Sequence, residues 1–276
     1  SGTAAPYDPD HMSQGPRASV AEPGGRAGPL VASVGIVVAC VVQAPGRIAA
    51  DTKLDLAIAS MRFLGRTLRL WQPEAAFGHI QNQSVGYLFP MGPFFAIGDG
   101  VGLPMWLVQR LWMATILLVA FWGALRLAEA LAVGTPGSRL AGAATYALSP
   151  AMLVVIGLTS GGQVPAALLP WVVLPLVRGA RDGSPRRAAA RSGLAVAAMG
   201  GINAASTLSV LLLPGLWLLT RRGARARVLR RWWVIAMPAA CLWWLLPLML
   251  QVRYGTDFLP FTESAATTTA TASATE

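Results

Sequence analysis

Between residues 29 and 250 the chain alternates uncharged apolar runs with short clusters of arginine, and this alternation restricts it to a membrane fold. A helix needs roughly 20 consecutive apolar residues to cross the hydrocarbon core of a bilayer. Spans are expected at residues 29–44, 104–125, 140–158, 164–177 and 232–250. Only 12% of the 276 residues are charged and 54% are hydrophobic, whereas soluble domains carry about 25% charged residues. The expected class is therefore all-α, a polytopic membrane helix bundle.

The arginine blocks set the topology. Residues 193–220 carry no charge. They lie between one block at Arg178, Arg181, Arg186, Arg187 and Arg191 and a second at Arg221, Arg222, Arg225, Arg227, Arg230 and Arg231. Basic linkers stay on the cytoplasmic side, and a single span cannot join two cytoplasmic ends. A hairpin of two short or partial helices, folded at Gly200-Gly201-Ile202-Asn203, is predicted there; the alternative is one long span with the second block outside. Arg17 and Arg26 precede the first span and place the N-terminus in the cytoplasm. The first exit, at Gly46, is then extracytoplasmic. The net charge of +10 would suit nucleic acid, but its gathering in linkers between apolar runs argues against that partner. Cys40 and Cys241 fall within apolar runs and read as small hydrophobes.

Residues 1–28 are rich in Gly, Pro, Ala and Ser and read as a disordered tail. His11-Met12 resembles a cloning-site scar, so residues 1–11 are set aside from the fold. Residues 29–250 form the membrane core, and residues 251–276 read as the start of a larger outer region that is cut off.

Ionisable groups beside hydrocarbon are costly and mark function. Directly after the first span come Arg47, Asp51, Lys53 and Asp55, two carboxylates and the chain's one lysine at a membrane exit. Residues 55–71 are predicted as one amphipathic helix in the interface plane. Leu56, Ile58, Met61, Leu64, Leu68 and Trp71 form its apolar face, with Arg62, Arg66 and Arg69 near lipid phosphate. The loop continues through Glu74, His79, Gln81 and Gln83, and a Pro/Gly-broken segment follows at residues 87–95. Asp99 reads as a turn residue, and Tyr87, Trp106 and Trp112 as an interfacial belt. On this count Asp51, Asp55, Glu74, His79, Asp257 and Glu263 all face outward, where no nucleotide sugar is available.

A lipid-linked sugar brings its own phosphate leaving group. The enzyme must then take a proton from the acceptor hydroxyl, a task for one carboxylate. It must also neutralise the departing phosphate, for which Arg, Lys or a bound divalent cation suffices. Asp51, Lys53, Asp55, Arg62 and Arg66 have the right chemistry. Structural roles compete: Asp51 as cap of the next helix, and Asp55 paired with Lys53 or Arg62.

Residues 44–56 resemble the actinobacterial α-(1→3)-arabinofuranosyltransferase family, the AftD-like members of the GT-C class. So do Trp71-Gln72-Pro73, residues 81–90, Gln109-Arg110-Leu111-Trp112, Gly200-Gly201-Ile202-Asn203 and residues 261–265. The resemblance covers residues 29–266 and implies a GT-C membrane core whose first outer loop carries the catalytic Asp, best matched by Asp51, with Asp55 in reserve. It implies a decaprenyl-phosphoryl-arabinose donor and an arabinan acceptor of arabinogalactan or lipoarabinomannan. Substrate contacts would come from Lys53, Arg62, His79, Gln81, Gln83 and Glu263, in a multi-pass plasma-membrane protein. An acyl carrier protein on the cytosolic face is a further implied partner. Family members are far longer, so this chain reads as their N-terminal part. Two other classes stay open: a transporter or flippase-type subunit, motivated by the proline-broken helices, and a non-catalytic scaffold.

Overall fold

The computed structural model describes residues 27–49, 51, 53–73, 78–80 and 84–255. It is a helical bundle in which four helical stretches, Met105–Leu131, Pro136–Leu158, Ser160–Arg181 and Ala224–Tyr254, are long and apolar enough to cross a membrane. The chain runs through α1 (Ala27–Val41), α2 (Leu54–Ile58), α3 (Ser60–Thr67), β1 (Trp71–Gln72), β2 (His79–Ile80), α4 (Met91–Gly100), α5 (Met105–Leu131), α6 (Pro136–Ala147), α7 (Pro150–Leu158), α8 (Val164–Arg181), α9 (Pro185–Ala197), α10 (Ala204–Thr220) and α11 (Ala224–Tyr254).

Helix starts follow the side chains that can satisfy free N–H groups. Ser149 and Ser184 cap α7 and α9, each with proline in the first turn, where a missing N–H costs nothing. Thr135 and Ser138 form a reciprocal capping box on α6, and the Asn203 carboxamide accepts from Ser206 N at 3.0 Å to start α10. The α6–α7 junction therefore falls at Ser149-Pro150, inside the span expected over residues 140–158.

α5 is the axis of the bundle. It packs on α1, α4, α6 and α8 and buries Val108, Trp112, Ile116, Leu117, Ala120 and Phe121. Its two ends differ in chemistry. At the C-terminal end, an Arg181 guanidinium N–H donates to the Ala130 carbonyl. Arg225 donates from Nε to Gly179 O at 2.8 Å and from Nη2 to Gly183 O. Leu131, Thr220, Arg221 and Arg222 line a common groove with Arg181 and Arg225. Both arginine blocks therefore sit at one end of the bundle.

The predicted hairpin follows from the same geometry. α9 leaves the arginine end, the chain turns through residues 198–203, and α10 returns. Gly200 has φ of +71°, a conformation open to glycine at no steric cost. A Cβ on Gly86 would lie 2.3 Å from the Gly201 carbonyl carbon, and one on Gly201 would meet the Trp244 ring at 2.5 Å. Two backbones and an indole thus meet where no side chain fits.

The segment between α1 and α5 departs from expectation in three places. The amphipathic helix over residues 55–71 is two helices, α2 and α3, broken at Ala59 (φ −147°, ψ 66°). The break lets Leu56 and Phe63 both enter the core, while Ile58, Met61, Leu68 and Trp71 stay exposed. Asp99 is not in a turn. It lies in the last turn of α4 and accepts from the Ser60 hydroxyl at 2.7 Å, tying α3 to α4. Tyr87 and Trp112 are core residues, 2% and 3% exposed, and not belt residues. Tyr87 stacks edge-on against Phe63 at 5.9 Å, and Trp112 packs on Phe94 and Phe95. The segment expected to be broken over residues 87–95 is interrupted between a 3-10 turn, Ser84–Leu88, and α4, which runs on through Gly92 and Pro93.

Candidate active site

The loop between α1 and α2 is fixed by the first turns of α5. Gln109 is 1% exposed, and a buried carboxamide needs partners for its donors and its acceptor. It finds both on one residue: Ala49 N donates to Gln109 Oε1 at 2.8 Å, and Gln109 Nε2 donates to Ala49 O at 2.9 Å. Arg110, also buried, donates from Nε to Gln43 O at 3.1 Å and from Nη2 to Arg47 O at 3.3 Å. The chain between Gln43 and Ala49 is thereby clamped to the α5 axis two residues before Asp51.

Asp51 itself is half-buried and accepts a hydrogen bond from the Ser160 hydroxyl. Ser160 is fully buried and accepts from Trp112 Nε1 at 3.1 Å. The indole thus orients the hydroxyl, and the hydroxyl orients one carboxylate oxygen. Ile202, from the hairpin tip, packs against Gly161, where an added Cβ would be 2.5 Å from its Cδ1. Three separate sequence segments therefore converge around Asp51. Lys53, and not Asp51, occupies the N-cap position of α2, so the capping role open to Asp51 from sequence is not the one it takes.

Asp55 lies in the first turn of α2 and pairs with Arg66, rather than with Lys53 or Arg62. Both partners are more than a third exposed, and such a pair adds at most about 1 kcal/mol to stability. Its geometric effect is larger, because it holds Arg66 beside Arg62 and Arg69 in a groove of about 700 Å³ closed by Trp71, Gln72 and Pro73. The Arg66 guanidinium also lies 5.4 Å over the Phe63 ring. His79 is half-buried in the two-residue ladder, opposite Gln72. Glu74, Gln81, Gln83, Asp257 and Glu263 lie outside the described residues. Among the described residues, no three His, Cys, Asp or Glu side chains gather where a metal ion would be held.

Residues 35–276 match the family profile described as α-(1→3)-arabinofuranosyltransferase, N-terminal GT-C domain. The chain belongs to this family. It is 45% identical over 245 residues to the α-(1→3)-arabinofuranosyltransferase of Mycobacterium tuberculosis and 46% identical over 236 residues to that of Mycolicibacterium smegmatis. These alignments cover 87% and 85% of this chain but 17% of each relative, so the chain spans about a sixth of their length. The cryo-EM structure of the arabinofuranosyltransferase AftD from Mycobacteria superposes with a TM-score of 0.81 at 42% identity, covering 86% of this chain and 18% of that one. The GT-C fold implied by the motifs is therefore the fold of this chain.

The family motifs also acquire physical content here. Gln109, Arg110 and Trp112 are the clamp and the indole donor, and Gly200-Gly201-Ile202 is the tip, whose Ile202 packs against Gly161, the residue after Ser160. Ser160 is the site residue that the sequence does not disclose, since a serine in a Thr-Ser-Gly-Gly turn carries no signal of its own. Gln109 and Arg110 carry one: polar side chains in the first turns of an apolar helix must be satisfied by some neighbour.

Proposed function

We propose that this chain forms the membrane-embedded catalytic core of an arabinofuranosyltransferase, with Asp51 as general base at the extracytoplasmic rim. The observation that carries this reading is the fixed carboxylate: Asp51 is oriented by Ser160 on a loop that Gln109 and Arg110 hold rigid. Sidedness is supported by the two ends of α5. Trp112 and Ala130 are 18 residues apart, about 27 Å along a helix and close to the thickness of a bilayer core. The arginine blocks lie at the Ala130 end, which the positive-inside rule assigns to the cytoplasm.

In this mechanism the donor is decaprenyl-phosphoryl arabinose and the acceptor a hydroxyl of a cell-wall arabinan. Asp51 takes the hydroxyl proton as the acceptor oxygen attacks the anomeric carbon. The bond from that carbon to the phosphate oxygen breaks, and decaprenyl phosphate leaves carrying the electron pair. One displacement inverts the anomeric configuration. The groove of Arg62, Arg66 and Arg69 would hold the phosphate as its charge develops. Asp55 then serves by positioning Arg66, and Lys53 adds a cation at the same loop. His79, Gln81, Gln83 and Glu263 are carried forward as acceptor or sugar contacts. No described residue singles out an acyl carrier protein as a partner.

A transporter would place ionisable groups at mid-span. In α5, α8 and α11 the charged residues lie towards the helix ends, and Arg191, midway along α9, is exposed. Purified full-length protein in detergent has no compartments to transport between. It is expected to move arabinose from the prenyl-phosphate donor to an arabinan acceptor. A folded preparation that transfers nothing would leave the scaffold or transporter reading standing and remove ours.

A further inference from the structure

A further charged groove lies at the opposite end of the bundle from Asp51, between α8 and α9. Its volume is about 490 Å³. Its mouth is lined by Arg178, Asp182, Arg187 and Arg191, and its deeper part by Trp171, Leu174, Pro175 and Ala195. The order along the helices matters. From Arg178 to Trp171 is about 10 Å along α8, and from Arg187 to Ala195 about 12 Å along α9. The two helices are antiparallel neighbours joined at residues 182–184, so both series run in the same direction, from charge at the bundle end to apolar surface within the span. Gly179 and Ala188 bring the helices together near the mouth, where an added Cβ would lie 2.3 Å from its neighbour. The Trp171 indole is fixed by donation to Val119 O at 2.9 Å and presents a set apolar wall.

Three arginines against one aspartate leave two net positive charges at the mouth. Among the described residues none of Arg178, Arg187 and Arg191 has a carboxylate within ion-pairing distance. All three are exposed. By contrast Arg181 and Arg225 are spent on carbonyls, and Arg186 lies 4.8 Å over the Trp232 ring. Basic pockets between membrane helices suit anionic headgroups, and the apolar depth of this one suits an acyl chain, which a free phosphate does not possess.

We propose that this groove binds an anionic phospholipid, with its phosphate between Arg178, Arg187 and Arg191 and an acyl chain along Trp171, Pro175 and Ala195. The test is native mass spectrometry on the purified full-length protein, exchanged into mixed micelles of phosphatidylethanolamine with or without cardiolipin. The wild type is expected to retain cardiolipin through delipidation. The triple variant Arg178→Gln, Arg187→Gln and Arg191→Gln is expected to bind it roughly a hundredfold more weakly, at about fivefold per arginine. A control removing equal charge outside the groove, Arg222→Gln with Arg227→Gln and Arg230→Gln, should keep its lipid. Ala195→Trp leaves every guanidinium in place and fills the apolar end, so it should also displace the lipid. Equal loss in the charge control, full binding by Ala195→Trp, or displacement of cardiolipin by inorganic phosphate alone would each overturn the proposal. So would an acidic soluble protein that occupies the groove in preference to lipid.

Discussion

Replacing Gln109 by leucine tests whether the clamp on the Asp51 loop matters for turnover. The substitution keeps the approximate volume of a side chain that is 1% exposed and removes both hydrogen bonds to Ala49, at 2.8 and 2.9 Å. Each such bond contributes about 1 kcal/mol net, and a shielded partner left unsatisfied costs about 1–3 kcal/mol. Ala49 is only half-buried, so water recovers part of that cost. The loop arrangement should be weakened by about 2–3 kcal/mol. If Asp51 acts only in this arrangement, kcat falls roughly 30- to 150-fold, at tenfold per 1.36 kcal/mol. KM for the donor should change little, because the arginine groove is on another segment. The assay is steady-state transfer by full-length protein from the prenyl-phosphate donor, with thermal unfolding as a folding control. A well-folded Gln109→Leu protein whose kcat stays within about twofold of wild type would refute the idea that the clamp sets the position of the carboxylate.

Three further outcomes follow from neighbouring contacts. Ser160→Ala removes the hydroxyl donor to Asp51 and the acceptor of the buried Trp112 N–H, so kcat should fall about tenfold or more while Ser160→Thr restores part of it; equal kcat in all three would show that Ser160 only fills space. Gly86→Ala should destabilise the protein by about 1–3 kcal/mol or more through overpacking against Gly201, read as a lowered Tm; an unchanged Tm would mean that the loop and the hairpin tip are not in contact. Arg69→Cys should react with a membrane-impermeant maleimide from outside intact cells and Arg222→Cys should not, in a background lacking Cys40 and Cys241; the reverse pattern would invert the topology.

Hydropathy and arginine placement revealed four of the five expected spans and the hairpin, since both reflect the energetics of taking single residues into lipid; the fifth, over residues 29–44, is the shorter apolar helix α1, Ala27–Val41. The outer loop was less legible because its outcome depends on distant partners. The apolar period runs unbroken through Ala59, yet Ser60 is drawn to Asp99 and the helix divides there. Tyr87 and Trp112 have the composition of an interfacial belt but are claimed by packing against Phe63, Phe94 and Phe95. Asp51 could be picked out as the first carboxylate beyond the exit. Its partner could not, because Ser160 lies 109 positions away in a turn and only the path of α5 and α8 brings the two together.

The most direct measurement is transfer by full-length protein carrying Asp51→Asn, which keeps the size and the Ser160 contact but cannot accept a proton. General-base catalysis contributes about 10²–10⁴ to rate, so turnover should drop by that factor with donor binding intact. Turnover near the wild-type value would mean that another group takes the proton, and that Asp51 is only a structural acceptor for Ser160.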